Sequence, residues 1–256
     1  VLTTAAYNEY VRRTKLRDSI TFELSRKDFG DMRWEEIWDA SLRIRNLFLN
    51  TPIPAPLKEK IAQKLQTVFS NADGAFAVRS SSIAEDSASR SFAGLHESYM
   101  NVKGLDSIFK HVRLVWASLW SDKALLYRKE LGLAVTKSAM AVVIQKFLPT
   151  RCAGVAFSIN PQNTRESVIE AVYGLNQGLV DGTIEPDRWT LSRDKGDIIQ
   201  HYAPNRDCKL EALSNLSQEV KSVRKVKLNA EEQKNPPLTE DQVEHVYETA
   251  RKLEEY

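Results

Sequence analysis

Arg79 stands in the densest run of chemically useful side chains in the sequence, Val78-Arg79-Ser80-Ser81-Ser82-Ile83-Ala84-Glu85-Asp86, which is soon followed by Ser91-Phe92-Ala93-Gly94. A guanidinium presents a planar fork of donors that matches phosphate oxygens, serine hydroxyls add neutral donors, and glycine lets backbone amides approach a ligand closely. Together these residue types make an anion cradle. They also permit a purely structural outcome, with Arg79 paired to Glu85 or Asp86 and the serines bonded within turns. Neither a Walker A nor a Rossmann glycine pattern is present to decide between the two.

Other reactive side chains are scattered. His96, His111, His201 and His245 read as surface or packing residues, and only His96, close to Ser91–Gly94, merits a test. Cys152 and Cys208 are far apart and belong to no Cys-x-x-Cys or Cys/His group, which argues against a disulfide framework and a structural zinc site and predicts free thiols. With 36 Lys and Arg against 34 Asp and Glu, the formal charge of +2 gives no global field that would draw the protein onto nucleic acid. The basic run from Lys221 to Lys227 reads as a solvated face or mobile loop. No apolar run approaches the roughly 20 residues that span a bilayer, and no signal peptide is present, so the expected compartment is the cytoplasm.

The elements that must position Arg79 can be read from periodicity. The opening third predicts helices: Trp34, Trp38 and Leu42 recur at helical spacing, as do Leu57, Ile61, Leu65 and Phe69, with Pro52, Pro54 and Pro56 between them. Both stripes are expected to face the core. Ala75-Phe76-Ala77-Val78 predicts a short buried strand that ends on Arg79 and the serines. A long helix is expected from about Leu105 to Leu131, because Ile108, Val112, Val115 and Leu119 share one face. Strands follow at Ala139 to Ile144, Gly154 to Ile159 and Val168 to Val172, and Trp189-Thr190-Leu191 and Ile198-Ile199 flank a turn as a hairpin. Residues 211–237 read as a helix and linker, and Thr239 with Gln242 predicts a capping box on the last helix. Helices first and strands afterwards indicate an α+β fold.

The order of several motifs says more. Phe76-Ala77-Val78-Arg79-Ser80-Ser81-Ser82-Ile83-Ala84-Glu85-Asp86-Ser87 and Ser91-Phe92-Ala93-Gly94-Leu95-His96-Glu97-Ser98-Tyr99 closely resemble the nucleotide-binding signature of the pyruvate phosphate dikinase and phosphoenolpyruvate synthase family. Trp116-Ala117-Ser118-Leu119-Trp120 running to Tyr127-Arg128, then Ala153 to Pro161, Glu170-Ala171-Val172-Tyr173-Gly174-Leu175 and Pro186-Asp187 fall in the same order as in that family. The resemblance covers about Val1 to Tyr202. It implies an ATP-grasp-like fold, in which two α+β lobes hold ATP between sheets, and an enzyme that cleaves ATP to AMP and phosphate while the β-phosphoryl group passes to a histidine on a separate domain. Rifampin phosphotransferases share this signature, so the final acceptor does not follow from the fold.

Carried over by resemblance, Arg79 is the phosphate-binding and catalytic arginine, offsetting charge on the phosphoryl oxygens. Ser91, Ala93 and Gly94 lie on a loop that covers the phosphates, and Ser98 sits where a hydroxyl contacts them. Gln145, Lys146, Phe147 and Leu148 match the segment that meets the adenine edge through backbone groups, with Gln145 and Phe147 as the chosen contacts. Glu170 is a candidate for the ribose hydroxyls, or else a structural partner of a nearby Lys or Arg.

The sequence also departs from the family. Leu95 stands where many members have Gln, and Asn176-Gln177 where Gly-Glu is usual. A Gly-Gly-Lys-Gly loop that would precede Val1 is absent, and Tyr256 falls before the acidic motif that binds magnesium, so no metal ligand is assigned here and Mg2+ is expected to be held outside these residues. With Val1 in place of Met and an uncapped helical end, the chain is expected to be a piece of a longer protein, with negligible activity by itself. Its partners would be ATP and the phosphohistidine and acceptor-binding domains of the same polypeptide. The expected division is residues 1–135 as a first lobe, 136–210 as a second, and 211–256 as a helical linker opening a further segment. The competing possibilities are a divergent nucleotide-binding or regulatory module without catalysis, and a structural or interaction domain.

Overall fold

A computed structural model describes residues 1–69, 74–82, 96–133, 135, 138–213 and 223–255. They form two compact units, Val1–Phe147 and Leu148–Tyr256. The break falls later than the expected division after residue 135, because the strand that closes the first sheet runs to Lys146.

The first unit opens with helices α1 (Thr4–Arg13), α2 (Leu16–Leu24), α3 (Trp34–Asn50) and α4 (Ala55–Val68). Pro54 caps α4, and Pro56 lies in its first turn, where a missing N–H costs nothing. Leu57, Ile61 and Leu65 are buried as expected. The α3 stripe is the reverse of the expectation. Trp34, Trp38 and Leu42 are 57%, 49% and 45% exposed, while Ile37, Ala40, Ser41, Ile44 and Phe48 face the core. Both sets have helical spacing, and the small Ala40 and Ser41 suit the close contact that α3 makes with α5 (Leu105–Ser118) and α6 (Asp122–Glu130).

The single long helix expected over residues 105–131 is these two helices. Ser121 separates them, its hydroxyl accepting from the Ala124 amide at 3.2 Å as an N-cap. Tyr7, Tyr10, Phe48 and Trp116 form an aromatic centre, with Trp116 stacked on Tyr10 at 4.9 Å and the Trp120 indole donating to the Tyr7 hydroxyl at 3.0 Å.

Against these helices lies a three-stranded antiparallel sheet in the order β2-β1-β3: β1 (Ala75–Ser81), β2 (Ser98–Lys103) and β3 (Ala141–Lys146). Phe76, Val78, Val102, Val142 and Ile144 are buried in the core shared with the helices. By the two-residue period of a strand, Ala77, Arg79 and Ser81 face the other way.

The second unit holds a four-stranded antiparallel sheet, β4 (Cys152–Phe157), β5 (Glu166–Tyr173), β6 (Asp187–Ser192) and β7 (Ile198–Tyr202), in that order. Ile169, Ala171, Trp189 and Leu191 pack one face of it onto Val243 of α9 (Glu240–Glu254). The hairpin between β6 and β7 is as expected, and so is the Thr239–Gln242 capping box of α9. A short helix, α7 (Gln177–Val180), follows β5. Residues 211–237 are not a helix and linker. They contain the end of β8 (Cys208–Ala212), paired with β9 (Val223–Lys227), and then α8 (Ala230–Lys234). Within the basic run, Arg224, Lys225 and Lys227 are exposed on β9, as expected of a solvated face, and Arg224 lies 3.8 Å from Glu211; Lys209 of β8 pairs with Glu211 and Glu232.

Gly174 shows why a glycine stands in the Tyr-Gly-Leu motif. Its φ is +78°, and an added Cβ would lie 2.2 Å from the Leu210 carbonyl oxygen of β8. Gly174→Ala should therefore destabilise the second unit by about 2–3 kcal/mol, from backbone strain and a clash that only main-chain movement relieves. Urea denaturation would read this. A change below about 0.5 kcal/mol, the range of ordinary surface substitutions, would contradict the close approach.

Candidate functional site

Arg79, Ser98 and Gln145 are far apart in the chain, yet the first sheet gathers them on one exposed face. Arg79 in the central strand lies opposite Ser98 of β2 on one side and opposite Val143 of β3 on the other. Gln145 is opposite Ala77, one same-face step along β1. Arg79, Ser98 and Gln145 are exposed, while their strand neighbours Val78 and Ile144 are buried. Among the described residues no acidic side chain pairs with Arg79. The alternative partners Glu85 and Asp86 lie outside the described residues, as do Ser91, Ala93, Gly94 and Leu95.

A β-bulge makes the Arg79–Ser98 pair. Val102 is opposite Phe76, but Tyr99 rather than Met100 is opposite Val78, so β2 carries one extra residue between these points. Asn101 occupies it with φ +56°. Without the extra residue Tyr99 would stand opposite Arg79, and the hydroxyl of Ser98 would be turned away from it. Nothing in the Met100-Asn101 dipeptide signals this beyond Asn tolerance of the left-handed region.

The adenine-edge expectation falls on β3, an edge strand. The Phe147 amide donates to the Ala75 carbonyl at 2.8 Å, so residues 143, 145 and 147 direct their backbone groups to β1. Residues 142, 144 and 146 direct theirs outward. Val142 exchanges two 2.8 Å bonds with Leu2, and among the described residues no strand covers Ile144 or Lys146. The free backbone edge is thus carried by Ile144 and Lys146, whereas the amide of Phe147 is already used.

Glu170 lies in the second unit, on β5, where Arg188 of β6 holds it through Nε at 2.6 Å and Nη2 at 2.5 Å. This pair lines a cavity of about 680 Å3 together with Phe157, Glu185 and Tyr202. Asp187 of the Pro-Asp motif is 3% exposed and is bound by Arg206 and, at 2.8 Å, by His201. That environment gives Asp187 a structural role, joining β6, β7 and the segment leading into β8. Cys152 and Cys208 are half-buried free thiols. The described residues contain no group of three His, Cys, Asp or Glu side chains placed to hold a metal, and no helix long and apolar enough to cross a membrane.

His96 lies half-buried just before β2. Desolvation, reinforced by the Arg128 charge, pushes its pKa down from 6.5 to about 4. The unfolded chain therefore takes up a proton as pH falls from about 6.5 toward 4 while the folded chain does not, and stability is lost across that window. Burial lowers His111 as well, with the same sign. The melting temperature should fall between pH 7 and pH 5, and His96→Gln should shrink that fall. An unchanged pH dependence in His96→Gln would show that His96 is not held neutral.

Known proteins resemble this chain throughout. Residues 1–256 match the family described as pyruvate phosphate dikinase, AMP/ATP-binding domain. The phosphoenolpyruvate synthase of Aeropyrum pernix is 37% identical over 212 residues, which is 81% of this chain and 26% of that protein. A probable phosphoenolpyruvate synthase of Methanocaldococcus jannaschii is 34% identical over 212 residues, 81% of this chain and 18% of its own length. The rifampicin phosphotransferase of Streptomyces sviceus is 31% identical over 255 residues, 99% of this chain and 28% of its own. The chain thus spans less than a third of each of these relatives.

Proposed function

From the premise that this chain belongs to the family of the pyruvate phosphate dikinase AMP/ATP-binding domain, we propose that it binds ATP within a dikinase-type phosphotransferase and hands on the β-phosphoryl group. Both phosphoanhydride bonds break: a histidine nitrogen on a separate domain takes the β-phosphoryl group as the α–β bond breaks and AMP leaves, and water takes the γ-phosphoryl group as the β–γ bond breaks, giving inorganic phosphate.

The observation that carries this reading is the pairing of Arg79 with Ser98 on an exposed sheet face, with no acidic partner for Arg79 among the described residues. A guanidinium beside a hydroxyl can bind phosphate oxygens in the ground state and offset charge that spreads over them during transfer. Ser91, Ala93 and Gly94 complete the proposal as a phosphate cover. Gln145 borders the same face, and the neighbouring backbone edge at Ile144 and Lys146 offers the adenine one donor and one acceptor per residue. Phe147 would act through its ring or carbonyl. Glu170 would first have to give up Arg188 before it could bind ribose hydroxyls.

Mg2+ normally neutralises a triphosphate. Among the described residues no three His, Cys, Asp or Glu side chains are grouped to hold it, and Glu97 is engaged by Arg45 and Tyr99, and Glu170 by Arg188. Its ligands would lie outside the described residues. An ATP-grasp-like use of two lobes belongs to the same proposal. It is supported by the occurrence in each unit of an antiparallel sheet with one face on helices and the other lined by charged and polar groups. The free thiols suit a reducing cytoplasm.

The test is label transfer in the full-length protein. ATP labelled at the β-phosphorus should leave acid-labile, base-stable label on a histidine, and ATP labelled at the γ-phosphorus should release only labelled phosphate. ATP binding with no protein label from either substrate would instead indicate a nucleotide-binding module without catalysis.

A further inference from the structure

Ser98 is held from behind by its two chain neighbours. Glu97 and Tyr99 flank it, and strand alternation puts them on the helical side of the sheet when Ser98 faces Arg79. Tyr99 is opposite the buried Val78, and its ring lies against His111 of α5 at 4.8 Å. The Tyr99 hydroxyl donates to Glu97 Oε2. The other carboxylate oxygen, Oε1, accepts from Arg45 Nη2 of α3 at 3.2 Å, and the Glu97 amide donates to Ser118 Oγ at the end of α5 at 3.2 Å. The Glu97 carboxylate therefore ties α3 to Tyr99, and the Glu97 amide ties the same residue to α5, so the chain is held on either side of Ser98.

We propose that Glu97, fixed by Arg45 and Tyr99, is a positioning residue for the phosphate site: it sets where the Ser98 hydroxyl stands relative to Arg79. This rests on the reading of Arg79 and Ser98 as phosphate ligands. Three observations carry the step. Ser98 lies at the start of β2, just before a bulge that interrupts the ladder to β1, so few regular strand pairs fix its position from the other side. The Glu97 contacts lie directly at that end of β2 and on the face opposite the ligand. The Arg45–Glu97 side chains are 37% and 42% exposed, so their ion pair adds little to global stability. The Tyr99 hydroxyl stays a donor, because burial, followed by the nearby Glu97 carboxylate, raises its pKa further above its ordinary value.

The test is a mutant cycle in the full-length protein, with ATP turnover and thermal melting measured for Glu97→Ala, Arg45→Ala, Arg45→Lys, Ser98→Ala and the double variants. Glu97→Ala and Arg45→Ala should each raise the KM for ATP about tenfold, the scale on which small misplacements of a ligand are felt. Melting should change little, and Arg45→Lys should recover most of the loss. Because Glu97 acts through Ser98, Glu97→Ala should add nothing further in the Ser98→Ala background. A full additional effect in that background, an unchanged KM, or a lowered melting point with unchanged KM would overturn the inference. Arg79→Ala is the control: if it leaves both the KM for ATP and turnover unchanged, the phosphate-site reading itself fails, whereas a large Arg79 effect beside a silent Glu97 removes only the positioning role.

Discussion

Arg79→Ala should lower ATP-dependent phosphoryl transfer by the full-length protein about a thousandfold, in line with the loss of an arginine or oxyanion donor from a phosphoryl-transfer site. Stability should hardly change, because the side chain is exposed and has no ion-pair partner among the described residues; substitutions at such positions stay within about 0.5 kcal/mol. Arg79→Lys should fall between the two, keeping charge but losing the planar fork that meets two oxygens at once. Steady-state turnover and calorimetric titration with ATP and Mg2+ would separate binding from chemistry. If Arg79→Ala retains both affinity and turnover, the residue is a structural one.

The largest effect on folding is expected at Trp116. Its side chain is wholly buried, stacked on Tyr10 at an interplanar angle of 23° and edge-on to Tyr7 at 5.9 Å. Trp116→Ala would leave a cavity among rigid rings that cannot close it, and should cost the first unit about 3–5 kcal/mol. The indole nitrogen is buried and has no hydrogen-bond partner among the described residues. The residue is therefore there for its volume, and Trp116→Phe should be much milder, since it also removes an unsatisfied donor. Denaturant unfolding followed through fluorescence and far-UV dichroism would check both. A Trp116→Ala cost under about 1 kcal/mol would mean that this aromatic centre is loosely packed.

The candidate face was readable in part because β1 opens as a continuous apolar run, Ala75-Phe76-Ala77-Val78, that ends on Arg79, the first exposed side chain of the strand. The motifs supplied Ser98 and Gln145, but no pattern supplied their meeting, which depends on the Asn101 bulge and on strand order. The helical stripe of Trp34, Trp38 and Leu42 misled because periodicity shows that a helix has an apolar face without saying which of two faces meets its neighbours. Residues 105–131 read as one helix because apolar residues continue at helical spacing through Leu119, whereas the break depends on one hydroxyl, that of Ser121. The β8–β9 hairpin was hidden by charge. Glu211 and Arg224 look like parts of a charged helix or linker in sequence, and only cross-strand pairing brings them opposite each other. Glu170 was readable as a carboxylate at a strand but not as a partner of Arg188, because that contact is between neighbouring strands.

Hydrogen exchange of the full-length protein with and without ATP and Mg2+ tests the central claim most directly, because the Ile144 and Lys146 amides lie on a sheet edge that no described strand covers. Saturating ATP should slow exchange at these two amides and around Ser82 and Ser98. Saturation by ATP with unchanged exchange at all of these positions would place the nucleotide elsewhere and contradict the assignment of this face.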